Sequence, residues 1–109
     1  MKNIVEKMNQ KNLICKSLEE VLPKALGSRK KVAIYVGINL KGYYCLVMKL
    51  SKKSRVLRKE ATELMALHEK IEKFKDTKIT KKYIWIEAPL CSKAKVLLEE
   101  HGWKVWHNG

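Results

Sequence analysis

The stretch from Lys31 to Leu50 constrains the fold most. Val32 to Ile38 is an apolar run rich in Val and Ile, without the polar alternation of a half-exposed strand, and such a run suits a strand covered on both faces. Gly42 breaks the stretch, and Tyr43, Tyr44, Val47 and Met48 mark a second strand after it. The two are expected to pair as an antiparallel hairpin. A further apolar run, Tyr83 to Ile86, ends in Glu87 and reads as another strand.

The rest of the chain is expected to cover these strands. Between residue 3 and about residue 22, Ile4, Val5, Met8, Leu13, Ile14, Leu18, Val21 and Leu22 fall largely at helical spacing, predicting one or two helices ended by Pro23 or Gly27. Lys24 to Lys31 follows as a basic linker. Residues 1–30 are therefore read as an N-terminal helical segment with its linker, and 31–109 as a single α/β domain. The leading helix either packs on the strands or serves as a dimerisation arm. Arg55 to Lys59 is read as a third short strand of a meander, after the polar turn Ser51-Lys52-Lys53-Ser54, with the start of the next helix as the alternative. Leu64, Leu67, Ile71 and Phe74 then predict a helix from Ala61, with acids at its front and lysines at its end, as the helix dipole favours. A helix from Cys91 or Ser92 to Leu98 and a strand Trp103–Trp106 complete the order α-β-β-(β)-α-β-α-β. The expected fold is α/β, a mixed sheet with helices on its faces.

Charge limits the partners. The chain of 109 residues carries 24 Lys and Arg against 11 acids, a formal net charge of +13. Such an excess favours polyanions, and DNA or RNA is the expected partner. Lys far outnumbers Arg, which points to phosphate contacts more than base reading. The expected contacts are Arg29, Lys30 and Lys31 together with Lys52, Lys53, Arg55, Arg58 and Lys59. The competing reading is a small interaction or scaffold protein whose charge only keeps it in solution. No run of about 18 apolar residues is present to span a membrane. The polar start after Ile4 is unlike a secretory leader. Cys15, Cys45 and Cys91 are odd in number and far apart, so a reducing cytoplasmic setting is expected.

Two motifs bear on chemistry. Val36-Gly37-Ile38-Asn39 resembles the first-strand signature of the RNase H-like superfamily, and Tyr83 to Pro89 resembles the fourth-strand signature of its RuvC-like branch. With the helix and strand that follow, Ala94 to Val105, the layout is similar to the N-terminal part of DEDD-type insertion-sequence transposases. Because neither run alternates, Val32–Ile38 is expected at the centre of the sheet with Tyr83–Ile86 parallel beside it, an arrangement the resemblance depends on. The resemblance implies a Mg²⁺ site at their C-terminal ends, where Asn39 and Glu87 would meet as vestigial ligands. In this chain Asn39 stands where the family has Asp, and the only Asp is Asp76. One carboxylate and one amide do not make a two-metal site, because Mg²⁺ asks for several oxygen ligands with charge. The expectation is a degenerate, non-catalytic domain with no cofactor. An active metal-dependent nuclease remains the lesser alternative, and Asn39 has the competing role of a turn former at a strand end.

A restriction-endonuclease-like fold is the second resemblance. It also opens with a helix and a hairpin and continues β-α-β, with Glu-x-Lys in a signature strand. Here the comparable place reads Val47-Met48-Lys49, with the Lys present and the acid absent. Other catalytic patterns are missing. His68, His101 and His107 lack metal-binding spacing. Cys91, entering a helix, has a structural reading beside the possibility of an activated thiol. Trp85, Trp103 and Trp106 read as packing residues.

Overall fold

The computed structural model describes residues 2–107. In chain order its elements are α1 (Lys2–Gln10), β1 (Cys15–Glu20), a short 3-10 helix (Pro23–Leu26), β2 (Ala33–Asn39), β3 (Tyr44–Ser51), α2 (Arg58–Lys75), β4 (Lys81–Glu87), α3 (Ser92–Glu100) and β5 (Trp103–His107). The strands form one sheet in the order β1-β2-β3-β4-β5. The first three pair antiparallel, whereas β4 is parallel to β3 and β5 is parallel to β4. The fold is a small α/β domain with a mixed sheet.

The two faces of that sheet are covered unequally. Ile34, Val36, Leu46, Met48, Leu50, Ile84 and Ile86 point to one face, where they pack with Leu64, Leu67 and Ile71 of α2 and Ala94 and Leu98 of α3. These helix positions recur at three- and four-residue steps, so one stripe of each helix is buried. Asp76, with φ 50°, closes α2 in the left-handed region, and the Thr77 N–H returns to the Glu72 carbonyl. The other face carries Tyr35, Cys45, Val47, Trp85 and Trp106, and only α1, through Ile4 and Met8, lies over it.

The structure corrects three expectations. Residues 15–20 are a strand, not the continuation of a helix. α1 ends at Gln10, and Asn12, with φ 60°, turns the chain back. Ile14 and Leu22, which made the helical pattern, are exposed and contribute nothing to the core. The N-terminal residues are thus built into the sheet, and the apolar stripe of α1 is used within the chain. Second, the third strand of the meander precedes β2 instead of following β3. In the segment expected to form it, only Val56 pairs, as an isolated bridge to Leu90, and α2 starts at Arg58. Third, the strand beside β4 is β3. β3 is buried on both faces from Cys45 to Met48, which suits it to the centre. β2 lies one place out, and it runs antiparallel to β4.

Gly37 sets how closely β1 approaches β2. A Cβ at this position would lie 2.6 Å from the Ser17 carbonyl oxygen. The β1–β2 pairing is irregular at the same place, with a shift between Cys15 and Ser17 that marks a bulge.

Candidate nucleic-acid interface

The basic residues expected to bind phosphate come from two stretches far apart in sequence, and the fold joins them. The loop after β3 has two apolar residues, of which Leu57 is exposed and Val56 is fully buried. The Val56 N–H donates to the Pro89 carbonyl at 2.8 Å, and its own carbonyl accepts from the Cys91 N–H at 3.0 Å. This single anchor ties the loop to the segment between β4 and α3, while Lys53, Arg55, Arg58 and Lys59 around it stay exposed. Lys30, from the linker before β2, lies 2.9 Å from Glu60 and 2.9 Å from Glu63 on α2. Lys52 pairs with the other Glu60 oxygen.

Glu60 is therefore the joint between the two stretches. Its side chain is only 15% exposed. Burial alone would raise its pKa, but hydrogen bonds from Lys52 and Lys30 outweigh burial and hold it below the usual carboxylate value. The same contacts raise Lys30 against the opposing pull of its own burial. Of the eight expected contacts, Lys30 and Lys52 are thus balanced by acids. Arg29, Lys31, Lys53, Arg55, Arg58 and Lys59 are exposed, and none has an ion pair among the described residues.

Asn39 and Glu87 do not meet. Ile38 is opposite Tyr44 at one end of β3, and Glu87 is opposite Ser51 at the other end. Seven residue steps of strand separate the two ends, about 23 Å at 3.3 Å per residue. The expectation of parallel pairing between their strands fails, and the shared site fails with it. Each residue has a local role instead. The Asn39 side-chain oxygen accepts from the Lys41 N–H at 3.0 Å and the Tyr43 N–H at 2.9 Å, which makes it the organiser of the β2–β3 turn. Glu87 accepts from the Ser51 hydroxyl at 2.8 Å and lies 3.4 Å from the Lys49 ammonium.

That environment does not fit Mg²⁺. Glu87 is flanked by a cation, and no group of three or more His, Cys, Asp or Glu able to hold a metal ion occurs among the described residues. Lys49, the one residue matching the Glu-x-Lys pattern, has its Nζ 4.5 Å from the Trp85 ring centroid, and Lys7 has its own at 5.2 Å. Val47, at the place of the missing acid, is fully buried beneath α1. The donor set here can neutralise an anion but cannot bridge two divalent ions.

The remaining candidates are structural. His68 donates to the Ile79 carbonyl at 2.8 Å, His101 to Leu97 at 2.9 Å and His107 to Ala88 at 2.7 Å. Trp85, Trp103 and Trp106 are all buried. The Cys45 thiol is pushed up to about 11, chiefly by burial and further by the neighbouring Cys15. The Cys91 thiol is pulled below its ordinary value by the Ala94 and Lys93 N–H groups at the start of α3.

The sequence reading passed over the opposite end of the sheet. There Ile14, Leu40, Lys41, Tyr43, Lys81 and Tyr83 line a groove of about 340 Å³. The available signal was Leu40 and Tyr43 flanking Lys41-Gly42, large apolar side chains in a turn that polar residues normally fill.

No known protein family and no curated protein matches this sequence. Solved structures do share its fold. One is EndoMS in its apo form, at 15% identity and a TM-score of 0.59, covering 98% of this chain and 45% of that one. A second is a complex of EndoMS with double-stranded DNA, at 17% identity and 0.52, covering 96% and 42%. A third is a repair endonuclease from Pyrococcus abyssi, at 12% identity and 0.56, covering 99% and 45%. The chain spans less than half the length of each. The likeness is one of fold: these endonucleases contain a similar small α/β domain, which is consistent with the second of the two expected folds and leaves the RNase H-like one without support.

Proposed function

We propose that this chain is a nucleic-acid-binding domain on a nuclease-type fold, one that grips the phosphate backbone without cutting it. The observation that carries the reading is the ridge of Arg29, Lys31, Lys53, Arg55, Arg58 and Lys59, exposed cations from two stretches joined at Glu60. Six exposed cations without an ion pair among the described residues form an electrostatic footprint for a polyanion. That a structural neighbour has been solved with double-stranded DNA supports DNA as the first polymer to test. Among the described residues Glu87 has no second carboxylate beside it to share a metal ion, and no Mg²⁺-dependent cleavage is expected. Asn39→Asp is not expected to create a metal site, because its partner lies at the far end of the sheet. The three free cysteines suit a reducing cytoplasm.

The test is a fluorescence-anisotropy titration of a labelled DNA duplex over a range of salt. Backbone-dominated binding should give a Kd of about 10⁻⁴ to 10⁻⁶ M near physiological salt, tightening steeply as salt falls. Replacing Lys53 and Arg55 by Gln should reduce the slope of log K against log salt by about 2. A flat titration at low salt, or binding indifferent to salt, would refute the reading in favour of a scaffold protein.

A further inference from the structure

We infer that the groove at the hairpin end takes an unpaired base of single-stranded nucleic acid, with Tyr43 as its stacking surface. This rests on the reading of the chain as a nucleic-acid binder and adds a second contact at the opposite end of the sheet from the basic ridge.

The turn that presents Tyr43 is held firmly. Two N–H groups converge on the Asn39 side-chain oxygen. The Asn39 N–H donates to the Tyr43 carbonyl at 2.9 Å, and the Gly42 N–H donates to the Asn39 carbonyl at 3.0 Å. Gly42, at φ 90°, supplies the backbone conformation that a side chain would resist. On this frame Leu40 is 59% exposed and Tyr43 55%, with Ile14 across the groove at 54%. Three large apolar side chains gathered at one rim, outside both core clusters, mark a binding surface more than incidental exposure.

The charges around the groove choose the occupant. Lys41 and Lys81 line it and no acid does. The Lys81 Nζ lies 5.8 Å from the Tyr43 ring centroid. An aromatic plate with apolar flanks and a cation beside it matches a ligand that is flat and apolar on its faces and anionic along its edge. A nucleotide has that chemistry, and a volume of about 340 Å³ falls in the range of small-ligand sites. In a duplex the base faces are hidden by stacking, so only a single strand or an extruded base can use the ring.

The experiment uses the full chain with an oligonucleotide carrying one 2-aminopurine, tested as a single strand and within a duplex. Tyr43→Ala should weaken single-strand binding about 5- to 150-fold, the range for loss of one base–aromatic stack. Duplex affinity and the salt slope should stay unchanged, and Tyr43→Phe should restore both affinity and the stacking-dependent quench of 2-aminopurine. The inference is overturned if Tyr43→Ala leaves single-strand affinity intact, or weakens single strand and duplex alike. It is also overturned if polyglutamate binds the wild type through Tyr43 while the oligonucleotide does not, which would assign the groove to an acidic peptide. The ridge variants separate the two readings. If Lys53→Gln with Arg55→Gln changes nothing while Tyr43→Ala abolishes single-strand binding, the ridge fails and the groove stands. The reverse result leaves the ridge and removes the groove.

Discussion

The two faces of the sheet differ in thickness and in chemistry. The face under α2 and α3 is closed by aliphatic side chains from nearly every element, with Trp103 its one large aromatic. The face under α1 has one helix of 9 residues, and its core is made of Tyr35, Trp85, Trp106, Cys45 and their neighbours. There the Trp85 indole nitrogen is buried without a hydrogen-bond partner, while Lys7 and Lys49 lie near its ring. The Tyr83 and Trp106 rings lie beside them with centroids 5.4 Å apart and planes tilted by 36°. The thick face holds the domain together. The thin face is held by aromatic rings with lysines packed beside them.

The comparison is most open to challenge through its cores. Ile84→Ala, on the thick face, should cost about 2–5 kcal/mol and lower the whole denaturation midpoint. Ile4→Ala, on the thin face, should cost no more than about 2 kcal/mol, because a short helix can shift to close the cavity. The loss should appear first as faster amide exchange within α1. Equal losses in urea titrations of the two variants would break the distinction.

Gly37→Ala should have an intermediate effect, about 1–3 kcal/mol, since the added carbon meets the Ser17 backbone oxygen rather than a flexible side chain. Hydrogen exchange should show β1 loosening while β3 and β4 keep their protection. Uniform loosening would mean that β1 is more deeply coupled to the thick face than its place at the edge implies.

The smallest effect is expected at Glu60→Gln, about 1 kcal/mol, because the amide keeps the side chain's size and an oxygen that can still accept from Lys52 or Lys30. The Glu60 pKa is depressed in the folded state, so its contribution is present above the unfolded value near 4.3 and fades as pH falls through the folded value. Glu60→Gln should therefore flatten the acid limb of stability below about pH 4.3. Because it also frees the charge of Lys52 and leaves Lys30 with Glu63 alone, the variant should bind duplex DNA more tightly at low salt. Weaker binding would show that Glu60 is needed to hold the ridge in shape.

Much of this architecture was legible in the residues, with limits that have physical causes. Val32–Ile38, Tyr83–Glu87 and the stripe of α2 lie where burial is continuous or strictly periodic, so their patterns are strong. β1 was read as helix because Ile14, Leu18, Val21 and Leu22 fall at helical steps, yet Ile14 and Leu22 face solvent. Such a pattern carries no core signal to correct it. Strand partners are a matter of tertiary structure, and nothing within Val36–Asn39 shows that β1 lies on one side and β3 on the other. The basic stretches were recognisable as charge, but their meeting at Glu60 depends on a helix that starts three residues earlier than expected. Asn39 was read both as a lost metal ligand and as a turn former, and its two N–H contacts give it the second role.

The bulge in β1 also bears on how this molecule behaves in a crowded solution. β1 is an outer strand of an open sheet, and a straight outer strand is a template on which another chain can add. The shift between Cys15 and Ser17 spoils that template, and the outward Lys16, Glu19 and Glu20 place charge along it. At the other rim β5 has only five residues, with Lys104 and His107 exposed on it. With both rims guarded in this way, copies of the domain brought close together lack a straight, uncharged edge on which to add strands.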